Sequence, residues 1–334
     1  MYSHGKYSFM KGITVIVIAH DRRKYLVEAV NSVLVQTLKK ELYNIIVVKN
    51  YYDNEIDSYL QKVGVKTVFT NKVAIGAKII EASMISDRDY ISFLEDDDQY
   101  LPVKLEHIYR EFERNEDIVF IHNNWESINE YGTKQNISGF TFNCDKILNS
   151  LDKKDLREIL SRRYFHNLSS ISIRRSLLTE KRNLETIHSS PDKTIYYLAL
   201  DSKKQLLFIN SKLTFFRIHK SHSMRKINDK IDIKQRINVL NEWAEDNSSL
   251  RTMLSNNDLI TAIELDDFII KLQISLLGSN KMNRTLIKRH FSGLFINLTF
   301  FYAVLYLLLG CFLLVNHNFV LWIYKFAVKC NFLK

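Results

Sequence analysis

Residues 91–102 read ISFLEDDDQYLP, in which four consecutive acids directly follow a short apolar run. The apolar run is typical of a buried strand, and helical spacing of apolar residues begins at Val103. Four adjacent carboxylates at the end of a buried strand repel one another, and desolvating each costs roughly several kcal/mol. Solvent or a divalent cation relieves this cost, and oxygen ligands suit Mg²⁺ or Mn²⁺. The stretch therefore predicts either a solvated acidic turn or a metal site.

Apolar runs and helical patterns alternate along the chain before this stretch. The predicted strands are residues 13–18, 45–48, 66–69 and 90–94, and the predicted helices are residues 25–38, 57–63 and 74–83. This alternation indicates βαβ units and a parallel sheet covered by helices. Because ligands bind at the carboxyl ends of such strands, we expect the loops AHDRR (residues 19–23) and KNYYDNE (residues 49–55) to line one crevice with the acids.

The pattern becomes less regular after the acids. We predict a helix at residues 103–114, a strand at 118–121 and a turn within HNNWESINEYG at 122–132. Further on we predict a polar helix at 155–163, a loop FHNLSS at 165–170, a strand at 171–174, a helix at 193–200 and a strand at 206–216.

The composition limits the classes of ligand. The chain has only nine glycines and neither a GxGxxG nor a GxxxxGK[ST] motif, so a phosphate site would use a metal and basic side chains. A formal net charge of +10 favours anionic partners, but the lysines are scattered, which argues against nucleic acid. The three cysteines are widely spaced and odd in number, which favours neither a disulfide framework nor a zinc site.

The C-terminal part predicts a membrane anchor. Residues 293–315 hold 23 uncharged residues, about 34 Å of helix against a bilayer core of about 30 Å. The basic cluster at 281–290 places its N-terminal side in the cytoplasm, and residues 319–328 are either an interfacial helix or a returning limb. The predicted domains are therefore a catalytic domain at 1–225, a helical connector at 226–292 and a membrane anchor at 293–334.

Four landmarks in order make the first ~225 residues resemble the inverting family 2 glycosyltransferases of the GT-A fold. They are VIVIAHDRRKYLVEAVNSVLVQT (residues 15–37), IIVVKN (45–50), YISFLEDDDQYLPVKLE (90–106) and RIHKSHS (217–223). The resemblance implies an α/β, GT-A Rossmann-like, mostly parallel sheet with flanking helices. It also implies a nucleotide-sugar donor and a divalent metal, Mg²⁺ or Mn²⁺.

The resemblance implies a role for each acid. Glu95 and Asp97 would correspond to the DxD pair that binds the metal, with His219 completing the metal site. Asp98 and Arg217 would contact the substrate. Asp192 stands where the family places its catalytic base. From the residues alone, His219 is equally well a hydrogen-bonded loop histidine. A helix cap is the alternative for Asp192.

The resemblance also implies a nucleotide site. It would comprise the loop Ala19, His20, Asp21 and Arg22, with His20 stacking on the base, together with Asn50, Lys78 near the diphosphate and Asp96 near the ribose. The sequence departs from the family pattern twice. Lys49 and Asn50 replace the usual acids after the second strand, and Glu95 replaces the first Asp of DxD. The first departure leaves UDP-, GDP- and dTDP-sugars open.

These observations predict a membrane-anchored, metal-dependent glycosyltransferase that faces the cytoplasm, contacts membrane lipid and binds no nucleic acid. The acceptor would be a lipid-linked or surface glycan. Two alternatives remain open: a polyisoprenyl-phosphate glycosyl synthase, and a catalytically silent sugar-nucleotide-binding membrane protein.

Overall fold

The computed structural model describes residues 10–135, 144–149, 155, 166–179, 183–219 and 230–278. The chain divides into two compact units. The first comprises residues 1–151, 164–186 and 191–219, and the second comprises residues 152–163, 187–190 and 220–334.

The first part of the first unit alternates strands and helices as predicted. Its elements are β1 (Met10–Ile18), α1 (Leu26–Leu34), β2 (Tyr43–Lys49), α2 (Asn54–Lys62), β3 (Lys66–Phe69), α3 (Ile75–Met84) and β4 (Arg88–Glu95). Strand β1 pairs in parallel with β2 on one side and β4 on the other, with Val15 opposite Ile45 and Ser92. From its third residue onward, side chains on both faces of β1 are buried, which explains its largely apolar sequence.

Helix α1 ends at Leu34, four residues before the predicted end. The side chain of Gln36 explains the difference because it donates to the carbonyls of Ser32 and Leu101 and accepts from the amide of Leu105. These three hydrogen bonds fasten the end of α1 to the segment that follows the acids.

The second part of the first unit contains shorter elements. They are β5 (Gln99–Tyr100), α4 (Lys104–Arg114), β6 (Ile118–Ile128), β7 (Lys134–Gln135), β8 (Lys146–Asn149), a 3₁₀ turn (Leu168–Ser170), β9 (Ile171–Arg174), α5 (Ser176–Thr179), a second 3₁₀ turn (Leu184–Thr186), α6 (Pro191–Asp201) and β10 (Gln205–Arg217).

The strand order is β3-β2-β1-β4-β9-β6-β10-β5, with β7 added to β6 and β8 added to β10. The pairings β1–β2, β2–β3, β1–β4 and β6–β10 are parallel. Strand β9 lies antiparallel between β4 and β6, and β5, β7 and β8 also pair antiparallel. The sheet is therefore mixed rather than mostly parallel, because β9 runs antiparallel within it and three short strands pair antiparallel with β6 and β10.

Strand β6 corrects the turn predicted at residues 122–132. The strand continues to Ile128, and the turn is confined to the residues around Gly132. Two of the polar residues that suggested a turn are buried, and their side-chain amides donate hydrogen bonds: Asn123 to Thr214 Oγ1 at 3.0 Å and Asn124 to the Asn210 carbonyl at 2.8 Å. Such partners allow polar donors inside a sheet.

The described part of the second unit is largely helical. Helices α7 (Lys230–Met253) and α8 (Asn257–Gly278) pack through apolar side chains that are fully buried, among them Leu240, Leu250, Leu259, Ile263 and Leu272.

The predicted anchor at 293–315, the segment at 319–328 and most of the polar helix at 155–163 lie outside the described residues. Within the described ranges, the helices are too short or too polar to cross a membrane.

Candidate active site

The four acids at residues 95–98 form a tight turn at the carboxyl end of β4, which we call the acid turn. The amide of Asp98 donates to the carbonyl of Glu95 at 3.2 Å, as in a β-turn. Asp96, Asp97 and Asp98 are 2%, 7% and 1% exposed. A turn of this kind points successive side chains in different directions, so each acid has its own partners. The acids are therefore buried, which favours the predicted ligand site over a solvated turn.

Arg22, in the loop after β1, supplies positive charge to this turn. Its Nε donates to Asp96 Oδ1 at 2.9 Å, and its NH1 lies 2.8 Å from Asp97 Oδ2. The amide of His20 also approaches Asp96 Oδ2 at 3.4 Å. The predicted nucleotide loop and the predicted metal acids therefore meet at one point.

Asp97 also meets His219, which follows β10. The Nε2 atom of His219 lies 2.8 Å from Asp97 Oδ2 and 3.0 Å from NH1 of Arg22. Tyr25 packs beside the imidazole, with ring centroids 5.7 Å apart. The structure thus brings together Asp97 and His219, which the sequence separates by more than a hundred residues.

Arg217, the last residue of β10, donates hydrogen bonds to the same turn. It is 1% exposed, and its Nε donates to the Asp97 carbonyl at 2.7 Å while its amide donates to Asp98 Oδ1 at 2.8 Å. Its guanidinium lies 4.3 Å from the centre of the Tyr25 ring and donates to Glu28 Oε2 at 2.7 Å. In this arrangement Arg217, expected at the substrate, contacts the acid turn and its supports.

The acids have unequal proton affinities. Burial raises the pKa of Glu95 and of Asp98 well above their ordinary values, and the charge on Asp97 adds to both shifts. Burial raises the pKa of Asp96 to about 6, although Arg22 opposes it. Burial also acts to raise the pKa of Asp97, but His219 and Arg22 outweigh it and hold that pKa below its ordinary value. Asp97 is therefore the acid that stays ionised most readily.

His20 and Lys78 form a second charged group beside the acids. Lys78 is fully buried, and its Nζ lies 2.6 Å from His20 Nδ1 and 3.2 Å from the Ala19 carbonyl. Because a protonated lysine only donates, the lone pair is on Nδ1 and the proton on Nε2 of His20, which faces Asp21 Oδ2 at 3.4 Å. Burial lowers the pKa of both Lys78 and His20.

The loop after β2 presents Asn50 rather than Lys49 to the crevice. Asn50 Nδ2 donates to Asp21 Oδ1 at 2.7 Å and Asn50 Oδ1 accepts from the Asp21 amide at 3.0 Å. Asp21 has a φ of 57°, in the left-handed region that Asp tolerates. Lys49 is 1% exposed and pairs with Asp57 of α2 at 2.8 Å.

Asp192 is the second residue of α6. Its charge is a smaller contribution to the raised pKa of Glu95, after burial and the charges of Asp97 and Asp98. Its Oδ1 accepts from the amide of Lys193 at 2.8 Å. A carboxylate at a helix N-terminus is stabilised in its charged form by the helix dipole.

Two supports of the acid turn were not predicted. Ser169 Oγ accepts from the amide of Glu95 at 3.0 Å, and Lys104 Nζ, fully buried, donates to the Ser169 carbonyl and to Thr214 Oγ1. Burial lowers the pKa of Lys104 well below its ordinary value. The sequence could have indicated that Lys104 is buried, because it precedes Ile108 by four positions and so lies on the same buried face of α4. Ser169 carries no such signal.

The side chains at the acid turn offer the types of ligand atom that divalent cations bind. Asp97 offers a carboxylate and His219 an imidazole at one point, and Mg²⁺ is commonly bound by one or two carboxylates together with substrate phosphates. No cluster of three or more His, Cys, Asp and Glu side chains within the described ranges is arranged to hold a metal by itself. Ligand oxygens would therefore have to complete the coordination.

A sequence model of glycosyl transferase family 2 matches residues 14–180, which is half of the chain and includes the acid turn. No curated protein is significantly similar in sequence.

Solved structures are similar in fold. A crystal structure of S. aureus TarS residues 1–349 has a TM-score of 0.53 at 14% identity, covering 95% of this chain and 92% of that one. TarS 1–349 in complex with UDP-GlcNAc has a TM-score of 0.51 at 14% identity, covering 81% and 87%. The fold is therefore mixed α/β and GT-A-like.

Proposed function

This chain belongs to glycosyltransferase family 2, and we propose that it transfers a sugar from a nucleotide-sugar donor to an acceptor with inversion at the anomeric carbon. The observation that carries the proposal is the buried acid turn, where Asp97, His219 and Arg22 converge from three separate segments. Such a cluster of buried charge is costly to the fold and is typical of a ligand site.

The donor would lie across the loops at the carboxyl ends of β1 and β2. Arg22 and Lys78 supply positive charge for a diphosphate, and the Asp21–Asn50 pair offers polar groups to a base edge. Support for a nucleotide-sugar donor also comes from the TarS structure, which was solved in complex with UDP-GlcNAc.

Asp97 and His219 would hold Mg²⁺ or Mn²⁺, with Glu95 as the other candidate ligand. When bound, the cation would neutralise charge on the diphosphate leaving group. The raised pKa of Glu95 and Asp98 supports this assignment, because a site with excess buried negative charge favours a cation.

Asp192 would act as the general base. From the second position of α6 its carboxylate would accept the proton of an acceptor hydroxyl as that oxygen attacks the anomeric carbon. A phosphate acceptor is already ionised and needs no base. An Asp192→Asn variant that kept near-normal turnover would therefore indicate a polyisoprenyl-phosphate acceptor instead of a glycan hydroxyl.

We further propose that residues 293–315 anchor the chain in a membrane with the catalytic domain in the cytoplasm, so that the acceptor is lipid-linked. The support is the uncharged sequence and its basic N-terminal flank. The full chain should sediment with membranes and a chain ending at residue 292 should stay in the supernatant; equal partition of the two would refute the anchor.

The proposed activity is tested by a thermal-shift screen of UDP-, GDP- and dTDP-sugars with and without Mn²⁺. We expect one nucleotide to raise the unfolding temperature, and more strongly with Mn²⁺ than without. Asp97→Asn should remove the effect of Mn²⁺ while an Asp117→Asn control, changed at an exposed ion pair with Lys204, retains it. No response to any nucleotide would count against the proposal.

A further inference from the structure

A cavity lies between helix α2 and the edge strand β3 of the first unit. Its volume is about 390 Å³, which is within the range of small-molecule sites. The helix contributes Asp57 and Gln61 to its lining, the strand contributes Thr67 and Phe69, and Lys49 lines it from the end of β2. The chemistry of these side chains limits the class of ligand that fits.

The charges inside the cavity cancel. Nζ of Lys49 lies 2.8 Å from Asp57 Oδ1, and Lys49 also donates to the Tyr51 carbonyl. Burial acts to raise the pKa of Asp57, but the hydrogen bonds from Lys49 and from the Asp53 amide outweigh it and lower that pKa. The lining therefore holds one ammonium and one carboxylate, with no net charge. Such a lining suits a neutral ligand better than a phosphate or a metal ion.

The polar side of the cavity is arranged to bind hydroxyl groups. Asp57 Oδ2 accepts from the Asp53 amide at 3.1 Å, so both oxygens of this carboxylate are held in place, and its side chain is 33% exposed. A carboxylate has about four lone-pair positions, which leaves capacity for a ligand hydroxyl. Gln61 follows Asp57 by four positions on the same face of α2. Its exposed amide group both donates and accepts, as does the exposed hydroxyl of Thr67.

An exposed aromatic pair forms the apolar side of the cavity. The rings of Tyr52 and Phe69 stack with centroids 4.0 Å apart and an interplanar angle of 16°. Tyr52 is 70% exposed, and Phe69 also reaches solvent. A flat aromatic face packs against the C–H groups of a sugar ring while polar side chains bind its hydroxyls. A small neutral molecule with both an apolar C–H face and several hydroxyl groups is a pyranose.

We propose that this cavity is a second carbohydrate site, which binds a pyranose unit of the acceptor glycan other than the unit that reacts. The inference rests on the proposed function, in which the acceptor is a glycan. Lys49 lines the cavity and the next residue, Asn50, faces the crevice, so the cavity and the proposed donor site share the loop after β2. A glycan bound at two positions is held more tightly than a glycan bound at one. The site therefore favours longer acceptors.

The first test is carbohydrate binding by the full chain in the absence of nucleotide. The probes are the neutral trisaccharides maltotriose, cellotriose and chitotriose, titrated and followed by saturation-transfer NMR. We expect at least one of them to bind, and Tyr52→Ala to weaken that binding at least about five-fold because the aromatic face is lost. Tyr131→Ala is the matched control, since Tyr131 is 81% exposed and lies outside the cavity. The control should bind as the wild-type chain does.

A second variant covers the polar side of the cavity. Gln61→Ala changes an exposed residue of α2 and should weaken trisaccharide binding about two- to ten-fold, as when one hydrogen bond is lost. It also replaces Tyr52→Ala as the deciding variant if that protein does not fold. The inference is wrong if none of the three trisaccharides binds, or if the folded cavity variants bind as tightly as Tyr131→Ala.

Acceptor kinetics separate this inference from the proposed function. The assay uses the nucleotide sugar identified by the thermal-shift screen, with a disaccharide and a hexasaccharide of the series that binds as acceptors. Tyr52→Ala should raise the KM for the hexasaccharide at least about five-fold more than the KM for the disaccharide. Equal changes in both KM values would mean general damage and would overturn the inference. If no sugar is transferred but trisaccharide binding still depends on Tyr52, the proposed function fails and the carbohydrate site stands.

Discussion

Strand β4 carries ionisable groups at both ends, and the two clusters differ in charge balance. At the amino end, Glu113 accepts from Lys11 and from Tyr90, each at 2.7 Å, and Arg174 packs over the Tyr90 ring. Burial opposes these bonds, but the bonds prevail and lower the pKa of Glu113. At the carboxyl end, residues 95–98 hold four acids, of which Glu95 and Asp98 have raised pKa values.

This difference in charge balance indicates that the two ends of β4 have different roles, one in stability and the other in ligand binding. Balanced charges at the amino end stabilise the native state. Excess negative charge at the carboxyl end destabilises it, and a bound cation would relieve that repulsion. Natural proteins accept such a local loss of stability at functional sites. Substitutions at the carboxyl end should therefore change activity most, and those at the amino end should change stability most.

The largest effect is expected for Asp97→Asn. It removes the acid that stays ionised most readily and that contacts both His219 and Arg22. We expect sugar transfer to fall about 10²–10³-fold, as when a preorganised electrostatic group is removed from an active site. Steady-state transfer assays would measure it. Glu113→Gln at the other end of β4 is the control and should keep transfer activity within about two-fold of the wild-type value. If Asp97→Asn retained a tenth or more of the activity, the proposed role of the carboxyl end of β4 in catalysis would be contradicted.

The second effect is a loss of stability for Arg174→Met. The Arg174 guanidinium donates to the carbonyls of Phe112 at 2.7 Å, Asn115 at 3.0 Å and Ile118 at 2.7 Å. Methionine fills part of the space but leaves these acceptors without their donor, which should cost about 2–3 kcal/mol. Urea unfolding would measure the loss. The specific activity of the folded variant should stay near the wild-type value. A large drop in activity at unchanged stability would contradict the view that the amino end of β4 serves stability.

The two ends should also respond to pH in opposite directions. Burial raises the pKa of Asp96 from 3.8 to about 6, so the folded state binds a proton that the unfolded state has released. The contribution of Asp96 to stability is therefore greatest below pH 3.8 and is lost as the pH rises through about 6. For Glu113 the folded pKa is lowered, so its contribution is present above pH 4.5 and is lost at lower pH.

Unfolding temperatures from pH 4 to 7 would test these signs. The unfolding temperature of the wild-type chain should fall relative to that of Asp96→Asn as the pH rises from 4 to 6, and the difference should then stay constant. Compared with the unfolding temperature of Glu113→Gln, that of the wild-type chain should rise as the pH increases through the acidic part of the range. Parallel curves for wild type and Asp96→Asn would mean that Asp96 is ionised throughout.

The first four strands were the more predictable part of the molecule. The central residues of strands β1, β2 and β4 are buried on both faces and are largely apolar, so the positions of these strands follow from the sequence. Strand β6 was predicted too short because Asn123 and Asn124 are buried with polar partners. A pattern of polarity cannot show that a distant strand supplies those partners.

The contacts within the candidate site were less predictable than the first four strands. Family resemblance placed Asp97, His219 and Asp192 in one site, but it assigned Arg22 to the nucleotide rather than to Asp96. That ion pair joins residues 74 positions apart, so local sequence contains no record of it.

The smallest effect is expected for Glu28→Gln, which tests how the carboxyl end is held. Glu28 Oε2 accepts from Arg217 NH2 at 2.7 Å, but the Glu28 side chain is 51% exposed. Pairs with an exposed partner contribute about 0.2–1 kcal/mol, and Arg217 would keep its bond to the Asp97 carbonyl. We therefore expect at most about a five-fold loss of transfer and a change in unfolding free energy below about 1 kcal/mol. A larger loss would mean that the solvent-exposed pair, and not the buried bonds to the acid turn, positions Arg217.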